Sequence, residues 1–169
     1  MKAHPSPYLA SLFPTLFSLG HYPWILSIGI GILLSLSFPP INASFLSFFG
    51  FIGLYQLVHL SHSYRHLAMI SYPAFFVWNL GTTYWLIMAS IPAGVAAIIA
   101  NSAVMLLPMM VIRFMHHRYR LYVWTALFQA ATWVLYEYLH HHWDLAWPWL
   151  SVGNCLLYTS PSPRDEQSS

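Results

Sequence analysis

Between Lys2 and Arg65 lie 62 residues without a Lys, Arg, Asp or Glu, and between Arg65 and Arg113 lie 47 more. Stretches of that kind are stable in hydrocarbon and aggregate in water. The total tells the same story: six basic and four acidic residues in 169 make the chain 6% charged, against about 25% in ordinary soluble domains. Hydrophobic residues account for 58%, aromatics for 18%, and mean hydropathy is +0.57. Ten charges do not cover the surface of a soluble globule of this size. A soluble enzyme, a nucleic-acid binder, a disordered tail and a disulfide scaffold are excluded. The pattern predicts an all-α integral membrane protein.

Five apolar stretches read as transmembrane helices, at about 22–38, 44–60, 67–89, 91–112 and 121–139. Lengths of ~17–25 residues cross the hydrocarbon core at 1.5 Å per residue. Pro39 and Pro40 stop the first; Gln56, Pro73 and Asn79 interrupt the second and third, as helices buried among other helices tolerate. The first apolar run does not resemble a cleavable signal, because runs of equal strength follow it. Residues 22–155 therefore read as one polytopic domain, preceded by a cytoplasmic or interfacial segment, 1–21.

Orientation follows from the basic residues. Lys2, Arg65, Arg113, Arg118 and Arg120 all fall on one side of a five-helix zigzag, and the alternate connections carry none. The positive-inside bias then puts the N-terminus in the cytoplasm. The irregular Trp/Pro-rich segment after the fifth span is placed outside. Ser27, Gly31 and Ser35 recur every four residues, as do Ala93/Ala97 and Ala96/Ala100. Small residues at that spacing let helices approach closely, although short side chains are also simply common in membrane helices.

Residues 156–169 change character: the hydrophobic pattern stops, and prolines and charges take over. They read as a non-native or disordered tail, with the natural sequence expected to leave off near Asn154 or Cys155.

Three groups invite a chemical reading. Ten histidines include His59, His62 and His66, at a spacing that suits one helix face, then His116 and His117, then His140, His141 and His142. A metal site needs its ligands in one compartment. The zigzag puts the last cluster across the bilayer from the others, so no metal centre is expected. Glu137 is the one acid within a span, and an acid at membrane depth is a functional candidate by default. Its position near the helix end equally suits a hydrogen bond to a neighbouring Trp or Tyr. Trp143, Trp147 and Trp149, with Tyr136 and Tyr138, crowd the same end as an interfacial belt would. Cys155, the single cysteine, has no Lys anywhere after Lys2 to help activate it and is a poor nucleophile candidate.

The order Trp133, then Glu137-Tyr138-Leu139, then Pro148-Trp149-Leu150 and Gly153 resembles the membrane domain of bacterial apolipoprotein N-acyltransferases. Two weaker matches are Leu36 to Pro40 at the end of the first helix, and Trp78, Asn79, Leu80 and Gly81 followed by Tyr84 and Trp85 in the third. One departure is His140, where the family pattern leads us to expect an Arg. The resemblance implies a multi-pass protein of the bacterial inner membrane. It also implies a parent enzyme that transfers an acyl chain from a phospholipid to the N-terminal diacylglyceryl-cysteine of a lipoprotein. No cofactor is implied, no nucleic acid is a partner, and a monomer is expected. The nitrilase-like catalytic domain of the family has no counterpart here, so no catalytic residue is expected in this chain. Its role would be anchoring and lipid access, with Trp78, Asn79, Gly81 and Trp85 as access or packing residues. Two competing readings are a fragment of a polytopic transporter, built around Asn79, Asn101 and Gln129, and a His-rich membrane metalloenzyme.

Overall fold

The computed structural model describes residues 22–119, 122–142 and 150–153. The N-terminal segment, Trp143, Trp147, Pro148, Trp149, Cys155 and the C-terminal tail lie outside the described residues. The architecture is all-helical, with no strand among the described residues. Seven helices follow in order: α1 (Pro23–Leu36), α2 (Leu46–Leu60), α3 (Tyr64–Thr83), α4 (Trp85–Ala89), α5 (Ile91–Val104), α6 (Leu106–Tyr119) and α7 (Tyr122–His141).

Local chemistry accounts for most of the boundaries. Pro23 opens α1, where its missing N–H is no loss, and Pro92 does the same in the first turn of α5. After α1, Asn42 turns the chain with φ of 56°, a conformation that Asn adopts more readily than most residues. The Ser63 hydroxyl accepts from the His66 N–H at 3.1 Å and caps the start of α3. Pro73 sits inside α3 without ending it.

Several expectations are corrected. His59 closes α2, His62 lies in the turn that follows, and His66 belongs to α3, so the three share no helix face. The chain breaks there because Ser63 caps a new helix instead of prolonging the old one. The third span is two helices, α3 and α4, divided at Tyr84. The fourth runs on well past residue 112. One helical stretch, Ile91–Arg118, is long and apolar enough to cross a membrane by length and composition. Helices α1 and α2, at 14 and 15 residues, are apolar but rise only about 21–22 Å. Helices α3 and α7 have 20 residues each, but their sequences are diluted by polar groups such as Arg65, Asn79, Gln129 and Glu137. The alanine stripe of α5 makes little contact: Ala93, Ala96 and Ala100 are exposed, and Ala97 is half-buried.

The stripe on α1 does make close contact. A Cβ on Gly31 would stand 2.6 Å from the Ala74 carbonyl oxygen and 2.7 Å from Val77 Cβ, so only glycine lets α1 lie against α3 here. One turn on, the Ser35 hydroxyl donates to its own Gly31 carbonyl at 2.8 Å and across to Val77 at 3.2 Å. The core that these helices enclose includes Leu34, Leu54, Leu67, Phe75 and Trp78, each 0% exposed.

Candidate functional site

Four aromatic rings, from three helices and the turn after α1, meet at the centre of the site. Trp78 of α3 and Trp133 of α7 stack with ring centroids 5.9 Å apart and planes 20° off parallel. Phe51 of α2 meets Trp133 edge-on at 5.0 Å, and Phe38, just past α1, leans on Trp78 at 5.8 Å. Aromatic pairs add about 0.5–1.5 kcal/mol each beyond their area. Trp133 is thus held rigidly, and its indole N–H has a fixed aim.

That aim is Glu137, one turn along α7. Trp133 Nε1 donates to Glu137 Oε1 at 2.9 Å. The Val152 backbone N–H donates to the same oxygen at 2.8 Å, and the Ser151 hydroxyl donates to Oε2 at 3.2 Å. One carboxyl group therefore ties segment 150–153 to the end of the last helix. Leu150 is buried beside it. Bonds of this kind to an acidic acceptor are each worth about 1.5–3 kcal/mol.

A narrow cleft opens beside this clamp, lined by Asn101, Met105, Tyr136, Glu137, His140 and Ser151. His140 stacks on Tyr136 at 5.3 Å, 18° off parallel. Burial, and next the neighbouring His141, hold the His140 pKa below its ordinary 6.5. Behind the cleft, Asn101 Nδ2 donates to Asn79 Oδ1 at 2.7 Å, while Asn79 Nδ2 donates to the Phe75 carbonyl at 2.9 Å. Gln129 Nε2 donates to the Phe51 carbonyl at 3.0 Å.

The residues singled out in the sequence are not all brought together. Glu137 and Trp78 converge on Trp133, and Asn79 is buried nearby, bonded to Asn101 and the Phe75 carbonyl. Tyr138 and Leu139 point away and are exposed. Trp85 is also exposed, and Gly153 lies at the far end of the clamped segment without a tight contact. Gly81 is a packing position, since a Cβ there would meet the Ser35 hydroxyl at 2.5 Å. Pro148 and Trp149 lie outside the described residues. Ser151 and Val152 escaped the sequence reading altogether: a lone serine does not reveal what its hydroxyl meets, and the Val152 backbone N–H leaves no mark on residue type.

The histidines divide between the two ends of the bundle. His59 and His116 meet edge-on at 4.4 Å, and His62 stacks on His66 at 5.1 Å. His140 stands at the Glu137 end. Among the described residues, no group of three or more His, Cys, Asp or Glu is arranged to hold a metal ion.

A family model described as the apolipoprotein N-acyltransferase N-terminal domain matches residues 30–162. The chain belongs to that family. No curated protein and no solved structure matches it. Trp78, Asn79, Trp133 and Glu137, with Ser151 and Val152, all lie inside the matched stretch. Membership in the apolipoprotein N-acyltransferase family places the chain with an acyltransferase of lipoprotein biosynthesis, and favours neither the transporter nor the metalloenzyme reading.

Proposed function

We propose that these residues form the membrane-embedded, lipid-access part of an apolipoprotein N-acyltransferase. Its substrates would be phospholipid as acyl donor and a lipoprotein's N-terminal cysteine as acceptor. The observation that carries this reading is an inverted surface. Phe48, Ile91, Leu127, Val134 and Leu139 are all more than half exposed. Asn79, Asn101, Gln129 and Arg113 are buried. Monomeric soluble proteins expose few large apolar patches, whereas polar side chains turned inward and apolar ones outward are what lipid demands. The reading retains five passes through the bacterial inner membrane, with the Arg118 end cytoplasmic and segment 150–153 outside. The shorter helices α1 and α2 are accommodated by local thinning.

In this reading the Glu137 clamp has a mechanical task. It fixes the outer segment to the end of α7, so that whatever follows residue 153 starts from a defined point above the outer leaflet. Trp78, Asn79 and Trp133 set the angle of that helix from behind. Acyl transfer itself needs an activated nucleophile. The single cysteine here has no lysine nearby in sequence, so expression of the 169 residues alone is expected to give membrane insertion without acyl-enzyme formation.

Accessibility labelling tests the arrangement. In a Cys155→Ser background, Trp149→Cys is expected to react with an impermeant maleimide from outside intact cells. Arg118→Cys is expected to react only after permeabilisation. Labelling of both positions from the same side would overturn the orientation and the lipid-access role together.

A further inference from the structure

Opposite the Glu137 end, where α2 runs out and α6 nears its C-terminus, Arg113 is buried with 4% of its surface exposed. Its Nη1 donates to the Ser61 carbonyl at 2.8 Å and to the Ser61 hydroxyl, and its guanidinium carbon lies 5.3 Å from the Tyr64 ring centre. Its Nε is buried with no hydrogen-bond partner among the described residues. None of these neighbours carries negative charge. The sequence explains why: the acids are Glu137, Asp144, Asp165 and Glu166, so none precedes residue 137. Glu137 is committed to Trp133, Ser151 and Val152. Phe51, which packs on Trp133, is about 15 Å of helix away from Ser61.

A guanidinium does not shed its proton in a protein, and a buried charge left uncompensated is strongly destabilising. Asp144, Asp165 and Glu166 lie outside the described residues; among the described residues no acid faces Arg113, and an anion from outside can supply the counter-charge. Arg113 follows Ile91 by 22 residues of a continuous apolar stretch. That is about 33 Å of helix, close to the ~30 Å thickness of a hydrocarbon core, which sets Arg113 at headgroup depth.

We propose that the Arg113 end of the bundle binds a phosphate-bearing anion through the guanidinium edge not used by Ser61, and that a phospholipid headgroup supplies it. The planar fork matches two phosphate oxygens, and the Tyr64 face and the His62–His66 stack border the approach. The lipid as source rests on the membrane reading above; the phosphate chemistry does not.

Native mass spectrometry and thermal melts of the full chain in a phosphate-free maltoside detergent test this. Phosphatidylglycerol is expected to be retained and to raise the midpoint, whereas phosphate-free monogalactosyl diacylglycerol does neither. Arg113→Gln is expected to cut phosphatidylglycerol retention about tenfold, and the exposed control Arg65→Gln less than about twofold. Equal retention by Arg113→Gln and the parent overturns the site. If Arg113→Gln does not fold, Arg113→Lys keeps the charge without the fork. About threefold weaker retention is then expected, and unchanged retention overturns the proposal. Displacement of phosphatidylglycerol by millimolar inorganic phosphate would overturn the lipid as source. Because binding is read in detergent, a wrong membrane orientation would show in the labelling experiment and not here.

Discussion

Glu137 and Arg113 sit at opposite ends of one bundle and have opposite surroundings. Around Glu137 the chain supplies an indole N–H, a backbone N–H and a hydroxyl, all within 3.2 Å. Around Arg113 the described residues supply one serine and a tyrosine face, and no acid. A polar group satisfied from within its own chain does structural work, here tying segment 150–153 to α7. Arg113, which no acid among the described residues faces, is where we propose that an anion from outside the chain binds. Both are polar residues among apolar helices, and only their partners tell them apart.

The largest expected effect comes from the cluster between the two ends. Trp78→Ala removes the ring on which Phe38, Phe51 and Trp133 pack and should cost about 3–5 kcal/mol. The aim of Trp133 at Glu137 would go with it. A melt that drops while segment 150–153 stays protected from protease would show that the clamp stands without the stack.

Glu137→Ala strikes one end alone. It leaves the Trp133 and Val152 N–H groups without an acceptor, and a loss of about 3 kcal/mol with early proteolysis at 150–153 is expected. Phosphatidylglycerol should stabilise this variant as much as the parent, since the Arg113 end is untouched. If the lipid effect vanished as well, the two ends would not be independent.

The smallest effect expected is on pH dependence. The His140 pKa lies below 6.5 in the fold, so the unfolded chain binds more protons as pH falls through that value. Stability contributed by neutral His140 is complete above the ordinary histidine range and declines below about pH 6.5. The melting midpoint between pH 7.5 and 5.5 should therefore fall less in His140→Gln than in the parent. An identical fall would mean that burial at this site does not disfavour the charged ring.

Much of the architecture was legible because it rests on one-dimensional chemistry. Long charge-free, apolar stretches marked the helices, and Pro39 and Pro40 marked where the first gives out. The spacing of Gly31 and Ser35 flagged a face suited to close helix approach, and the fold supplied α3 as its partner. Where the reading failed, the competing local signal was real but short. Ser63 capped a new helix between His59 and His66, and Tyr84 divided the third apolar stretch. The alanines of α5 had the right spacing and make little contact, because periodicity says which residues share a face and not what faces them.

By itself, then, the sequence determined the helical class, the apolar character and the absence of any acid before Glu137. These are properties of composition and order along the chain. Only the tertiary structure decided that Glu137 is a clamp and that Arg113 faces no acid among the described residues. The physical reason is that a hydrogen bond depends on the distance and direction of groups far apart in sequence. Ser61 and Arg113 are 52 residues apart, and one of the donors to Glu137 is a backbone N–H that every residue except proline has.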